Sequence, residues 1–492
     1  MMRLILVILC YAACVLSSND NSTPRIIIIG AGPAGIAAAS RLFENGFTNF
    51  TILEAENRIG GRVYSEYMVD LGGQWVHGEK NNVAFELAWP LGLIERSNES
   101  YESEFKIFGS SGSSLSLEIS QDLKEFFFSL DSNLIDIENL KTGTFGEYAD
   151  AKFEEYYKNH PEISAELHKP LRDMINLGQM GSDGADNWYE VSAKGSRDYP
   201  TCDGDNNINW KNRTYGTILD ILMKKFPNPE EELPILNNTH TSSKVTEINY
   251  NEDSTLVKVS AADGKEYLAD HVIFTPSLGV LKANNNQLFN PPLPEKKIRS
   301  IENLGFGHVG KIFLYFDNPW WHTNDNKLSV KLIYWTEADR KEIENDPERK
   351  WMLGIFSVFP VEHKPKLLCI WLSSNHSTEM ELIPEELFHN QTSEFLNRFF
   401  GHEHNITEIS GIKRTMWNTN ENFRGTYSYH GLETDTANVT NADLAEPIMR
   451  DDKPILQFAG EATSEHYSTV HGAIESGWRE ADRLINLYSN KN

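Results

Sequence analysis

The sequence predicts an α/β domain, discontinuous along the chain, joined to a second domain of mixed sheet and helices (α/β + α+β). Three observations carry that expectation. The first is RIIIIGAGPAGIAAASRLFENGFTNFTILE at 25–54, where an apolar strand, glycines at GxGxxG spacing, a small-residue helix and a second strand follow in unbroken order. The second is the recurrence downstream of strands able to complete the same sheet, at 271–275 and at the head of PILQFAGE. The third is the change to a helical, charged texture over 97–226, which reads as an insert belonging to a different part of the molecule.

Taken in order, Ile26, Ile27, Ile28 and Ile29 read as a strand buried on both faces. Gly30 allows the tight turn that follows, Gly32 lets a pyrophosphate approach the backbone, and Gly35 lets the Ala-rich helix lie close to the sheet with its N-terminal end toward the phosphates. The strand 50–53 ends on Glu54, placed 19 residues after Gly35, where an acidic side chain accepts hydrogen bonds from an adenosine ribose. Strand, glycines, helix, strand and acid in that order predict a Rossmann-like dinucleotide-binding domain.

At 492 residues the chain is long enough for two or three domains. Met1, Met2 and Arg3 precede an apolar run at 4–16 and a small-residue break at Ser17 and Ser18, the pattern of a secretory signal peptide over 1–18. Its 13 apolar residues fall short of the roughly 20 that span a bilayer, so no membrane anchor is expected. Cys10 and Cys14 lie inside that segment, which leaves Cys202 and Cys369 for at most one disulfide. Nine N-x-S/T sequons, at Asn21, Asn49, Asn98, Asn212, Asn237, Asn375, Asn390, Asn405 and Asn438, add support for an extracellular glycoprotein, with Asn49 expected to stay unmodified beside its strand. The net charge of −26 argues against nucleic acid and anionic membranes as partners. It leaves two readings open: a field that gathers a cationic substrate, or ordinary solubility.

After Glu54, NRIGGRVYSEYMVDLGGQWVHG places Arg62 on a glycine turn suited to a diphosphate and sets Trp75 and His77 behind Gly72 and Gly73. Helices are expected through 97–226, ending with an amphipathic helix in TYGTILDILMKKFP. Strands follow in SSKVTEINYN and STLVKVSAADGKEYLADHVIFTP, with a hairpin turn at Asp263-Gly264. GKIFLYF, WMLGIFSVF and KLLCIWLSS read as strands of a second sheet, 384–400 as a helix, and the final segment as strand, Gly-Glu turn and long helix. The resulting division gives 24–96, 240–304 and 450–488 to the nucleotide-binding domain and 97–239 and 305–449 to the substrate domain. Lys311 stands out inside an apolar strand. It lies on the solvent face of an alternating strand, or it is buried and needs a partner or a job, since burying an unpaired ammonium costs several kcal/mol. No metal site is expected.

Assembled, these pieces resemble the flavin-dependent amine oxidases, and among them the animal polyamine oxidases. The resemblance runs through GAGPAGIAAASRL with LEA, RIGGRV, DLGGQWVHG, HVIFTPSLGVLK, LGFGHVGKIFLYF, NFRGTYSYH and FAGEATSEHYSTVHGAIESGWREADRL, nearly the whole chain. It implies FAD, with Gly30, Gly32, Ala34 and Gly35 around the pyrophosphate, Glu54 on the ribose and Arg62 toward the diphosphate. It further implies the Val245 backbone at the adenine, Gly73, Gln74 and Trp75 against the isoalloxazine, Glu461 at the ribityl or phosphate region, and Thr469 and Val470 at the pyrimidine end. There the last helix's dipole favours anionic reduced flavin. Lys311 matches a lysine that holds a water near flavin N5, His77 matches a histidine facing the substrate amine, and Tyr427 and Thr469 match the two walls flanking the substrate. Thr426 stands where monoamine oxidases have the cysteine that bonds the flavin, so the resemblance implies non-covalent FAD. SEHYSTVHG is one residue shorter than the usual animal pattern, and no segment has the length of the helical tower of the histone demethylase branch. The implied reaction oxidises a polyamine with O2 to an aldehyde, a shorter amine and H2O2. Two rivals stay open: a secreted L-amino-acid oxidase, for which Arg424 is the candidate carboxylate clamp, and a silent amine-binding flavoprotein.

Overall fold

The computed structural model describes residues 23–97, 105–132, 143–251, 254–321 and 330–489. The expected signal peptide at 1–18 and the sequons at Asn21 and Asn98 lie outside the described residues.

The isoleucine run forms strand β1 (Ile26–Ile29), every residue buried. It is followed by helix α1 (Pro33–Glu44) and strand β2 (Phe50–Leu53). β1 lies centrally, pairing in parallel with β2 on one side and with His271–Phe274 on the other. His271–Phe274 pairs in parallel with Lys453–Phe458, and β2 with Thr239–His240. An antiparallel edge strand, Ile448–Arg450, completes a six-stranded sheet. The Ala-rich face of α1 and the last helix, Val470–Ser489, cover one side of this sheet, with Ala37, Ala38, Ile474 and Ala481 fully buried between them. The other side packs against a four-stranded sheet that carries the expected Asp263-Gly264 hairpin.

The second body is built on another six-stranded sheet, in which Val309–Tyr315 pairs antiparallel with Leu367–Ser373, and Ile355–Pro360 follows. Apolar clusters cover both faces of that sheet. The helices Leu117–Ser132, Phe145–Asn159 and Ala165–Asp183 form the insert expected from its texture.

Four expectations shift. Lys106–Gly109, inside the stretch read as helical, is an edge strand parallel to Lys331–Tyr334. Its Ile107 and Phe108 are buried in different clusters on opposite faces, so it shows no alternation to distinguish it from a helical segment. The helix in TYGTILDILMKKFP is confined to Thr217–Leu222, and Lys224 at φ +58° turns the chain out of it. WMLGIFSVF begins as a 3-10 turn, Lys350–Gly354, before its strand. The stretch 208–235, allotted to the substrate domain, packs Trp210, Tyr215, Ile218 and Leu222 into the same cluster as Ile26 and Ile28. Cys202 and Cys369 are both free.

Candidate active site

The carboxyl ends of three parallel strands open onto one cavity of about 490 Å³, the place where a doubly wound sheet binds its ligands. Gly30 leaves β1 there, Glu54 leaves β2, and Thr275 follows His271–Phe274. The far wall comes from the second sheet, through Val309, Lys311 and Trp371. The cavity therefore lies between the two bodies of the chain.

At its first end the glycines divide into two kinds. A Cβ on Gly30 would meet the Thr275 hydroxyl at 2.4 Å, and one on Gly35 would meet the Gly30 carbonyl at 2.0 Å, so protein packing demands both. A Cβ on Gly32 meets nothing nearer than 3.9 Å. Its smallness serves no protein neighbour, and the space it leaves opens on the cavity. α1 begins at Gly32 with no side-chain cap, so the amides of its first turn and the positive end of its dipole are available to an anion. Ala34 lines the cavity in that turn, while Gly35 packs behind it.

Glu54 is buried. Its Oε2 accepts from the Ala31 amide at 2.7 Å and its Oε1 from the Glu56 amide at 2.7 Å. Burial raises its pKa, and the two amides act against that. Val245 lines the same end. Midway, Arg62 Nη1 donates to the Thr426 carbonyl at 2.5 Å and to Glu461 Oε1 at 3.0 Å. The other Glu461 oxygen accepts from the Ser428 hydroxyl at 2.6 Å and the Ser468 amide at 2.9 Å. Arg62 and Glu461 thus tie three distant segments together while lining the cavity.

Lys311 is 7% exposed. Its Nζ donates to the carbonyls of Asp70 at 2.7 Å and Gly72 at 2.6 Å and to Gln74 Oε1 at 3.1 Å. An ammonium carries three donors, and these acceptors use all of them. Burial pushes Lys311 down to about 8. The lysine fastens the 70–74 segment to the second sheet, and Gly73, next in that segment, sits where a Cβ would touch the Val470 side chain at 3.0 Å. Trp75 follows, its ring 5.3 Å from Trp371 and 5.9 Å from Phe359. On the other side the Tyr427 hydroxyl donates to the Gly181 carbonyl at 2.6 Å. The Thr469 hydroxyl caps the last helix, accepting from the Gly472 amide at 3.0 Å, and Thr469 and Val470 both line the cavity. Asp183, two residues after Gly181, bears on the Tyr427 phenol, raising its pKa beyond what burial does.

His77 is not among the residues lining this cavity. Its ring Nδ1 is 2.7 Å from the Asn206 carbonyl, which only accepts, so Nδ1 carries the proton. The ring is accessible yet closely surrounded by protein, and that surrounding lowers its pKa. Arg424 is exposed and does not line the cavity either. Conversely, Trp371, Trp417 and Phe423 line it without having been singled out from the sequence. For Trp371 the signal was present: a tryptophan in the apolar run KLLCIWLSS, whose buried indole nitrogen has no hydrogen-bond partner among the described residues.

Residues 33–191 and 232–485 match the family described as flavin containing amine oxidoreductase. The chain belongs to that family. As a flavin amine oxidoreductase it uses FAD, and the cavity fits the group: Gly32 leaves open a position that a side chain would fill, the α1 terminus is uncapped, and the buried acid Glu54 stands at the end of β2. Two curated relatives align along nearly the full length. The Bos taurus peroxisomal N(1)-acetyl-spermine/spermidine oxidase is 29% identical, covering 94% of this chain and 95% of its own. The Homo sapiens protein of that name is also 29% identical, covering 95% and 96%. A solved structure of a putrescine oxidase redesigned in cofactor binding superposes with a TM-score of 0.67 at 18% identity, covering 94% of this chain and 99% of that one, a likeness of fold.

Proposed function

We propose that this amine oxidase acts on polyamines such as spermine, spermidine or their N1-acetyl derivatives. One observation carries the reading: Trp75, Trp371 and Tyr427 line the cavity together with Lys311, an aromatic wall suited to a desolvated amine. Among the described residues Arg62 is the only arginine in the lining, and it is committed to Glu461. A carboxylate-bearing substrate finds no uncommitted arginine among the described lining residues, which disfavours the amino-acid oxidase. FAD, held along this cavity, would supply the redox chemistry by which an amine, water and O2 give an aldehyde, a shorter amine and H2O2.

The chain's own residues position and desolvate. Trp75, Trp371 and Tyr427 exclude water around the reacting amine and favour its neutral form. Asp183, which is not itself a lining residue but bears on the Tyr427 phenol, is the acid assigned to a remote ammonium of the same molecule. Lys311, its pKa lowered by burial, lets go of its longest acceptor, Gln74, to hold a water at the cavity wall. Glu461 holds Arg62 and the 426–428 segment in place. His77, bonded to Asn206 off the lining, is left out of the proposal. The test is the visible spectrum under anaerobic conditions on separate addition of spermine, N1-acetylspermine and L-leucine. Bleaching by a polyamine alone supports the reading, bleaching by leucine overturns it in favour of the amino-acid oxidase, and no bleaching overturns it in favour of the binding protein.

We also propose that the chain is exported and glycosylated. Support comes from the apolar run at 4–16 and from the seven sequon asparagines among the described residues, Asn49 included, all of which are exposed. Accumulation in the medium of a species whose mass falls on glycan removal is the expected outcome; retention in the cell without glycans would refute it.

A further inference from the structure

Cys202, His466 and His471 bring a thiol sulfur and two ring nitrogens within 4.8 Å of one another, away from the cavity lining. They arrive from separate places: Cys202 after the helix Ala193–Asp198, His466 from the turn after Glu461–Thr463, and His471 from the second position of the last helix. The Cys202 sulfur lies 3.7 Å from His471 Nε2. Zinc–sulfur and zinc–nitrogen bonds of about 2.3 and 2.0–2.1 Å meeting at a tetrahedral angle place the two donors about 3.5–3.6 Å apart. The pair already stands close to the separation a shared metal imposes.

A bare thiol–imidazole contact would have a similar length, so the surroundings decide. His466 Nδ1 is 3.0 Å from a Glu475 carboxylate oxygen, the carboxylate–imidazole pairing that fixes a ligating ring and raises the basicity of its other nitrogen. The two rings, 5.0 Å apart, are inclined at 54° rather than stacked. The backbone is pressed tight around the donors: a Cβ on Gly78 would strike Cys202 Cβ at 2.4 Å, and one on Gly472 the His466 carbonyl at 2.2 Å. Cys202 and His471 are buried and His466 is half-buried.

We propose that Cys202, His466 and His471 form a binding site for a thiophilic d10 metal ion of the zinc class, with a water as fourth ligand. A sulfur and two imidazoles form a borderline-soft set that rejects calcium and magnesium. Thr469 and Val470, which line the flavin cavity, lie between two of the ligands, and Ser468 beside them is held at φ +69°. The metal clamps this shortened loop and the start of the last helix to the 199–208 segment. Its role is to hold that wall, not to touch the reacting amine.

The test uses the purified flavin-loaded chain. After dialysis against metal-free buffer, Zn2+ is titrated in competition with a chromophoric chelator, and the native protein is alkylated with and without Zn2+, the modified cysteine being identified by mass spectrometry. Cys369, fully buried in Leu367–Ser373, is the internal control. The expected result is binding of about one Zn2+ per chain, protection of Cys202 from alkylation by Zn2+, and weakening of binding by about ten- to hundredfold in Glu475→Gln, which leaves all three ligands in place. Cys202→Ser should abolish binding while the flavin spectrum is retained. No stoichiometric binding by the wild type, equal alkylation of Cys202 with and without Zn2+, or wild-type affinity in a flavin-loaded Cys202→Ser variant would each overturn the proposal. The alkylation comparison needs no variant and stands even if the substitutions prevent folding.

Discussion

The burial of Lys311 sets a pH dependence of stability that a single substitution isolates. The folded protein holds this lysine down at about 8 against an ordinary value of 10.5. Below about pH 8 both folded and unfolded chains carry the proton, and the folded state bears the cost of a buried ammonium. Between about 8 and 10.5 the unfolded chain binds more protons than the folded one, so stability rises with pH, and above that window the gain is complete. At 1.36 kcal/mol for each tenfold step in proton affinity, the gap amounts to about 3 kcal/mol. Lys311→Met removes the group and leaves the carbonyls of Asp70 and Gly72 and the Gln74 amide oxygen without their donor, at about 1–3 kcal/mol for each buried acceptor. The variant is therefore less stable than wild type at all pH values, but the deficit is smallest near pH 7 and widens by about 3 kcal/mol toward pH 10.5. Urea unfolding of flavin-free wild type and variant at half-unit intervals from pH 7 to 10.5 measures the difference directly, since every other titrating group is shared. Parallel stability curves would show that Lys311 is not a neutralised buried amine and would remove the basis for its proposed release of Gln74.

The glycines give a contrast between ligand and packing. Gly32→Ala should leave the flavin-free protein within about 1 kcal/mol of wild type, since its Cβ meets no protein atom nearer than 3.9 Å, yet lower FAD content sharply. Gly35→Ala, whose Cβ overlaps the Gly30 carbonyl at 2.0 Å, should destabilise the flavin-free protein itself by about 1–3 kcal/mol, and chemical denaturation with flavin quantification separates the two. With Thr426 donating its hydroxyl to the Gly307 carbonyl at 2.9 Å, acid precipitation should release all the flavin into the supernatant, and a yellow pellet would contradict that. Asp183→Asn should raise KM for spermine about five- to tenfold while sparing a monoamine, consistent with roughly 1 kcal/mol for a partly exposed ion pair; equal effects on both substrates would place Asp183 outside the substrate's reach.

What the sequence revealed follows from how local each feature is. β1, α1, β2 and Glu54 form a single stretch in which every residue type answers a local demand, and the fold repeats it residue for residue. The strand Lys106–Gly109 was hidden because a partner far downstream, Lys331–Tyr334, makes it a strand, while its own apolar run suits a buried helix equally well. Cys202 and the histidines 466 and 471 are invisible for the same reason. No spacing in the chain announces them, and only the seating of the last helix against the 199–208 segment brings them together.

Lys311 shows why a site at a junction of two sheets resists reading by pattern. The sequence left it either on a solvent face or buried with a purpose, and alternation is the usual arbiter. Here the arbiter fails, because six of the seven residues in Val309–Tyr315 are buried and neither face of the strand is a solvent face. Its cross-strand neighbour is Trp371, the cavity-lining residue that pattern reading also passed over. What decides the lysine's position is the arrival of two carbonyls and a side-chain amide oxygen from 70–74, a segment far away in the sequence whose Leu71 packs with Phe313 and Cys369 of this sheet. A lysine on the same strand without that segment would carry an uncompensated buried charge. The docking of the two sheets and the placement of this amine at the cavity wall are therefore one structural event, and a substitution that loosens either should loosen both.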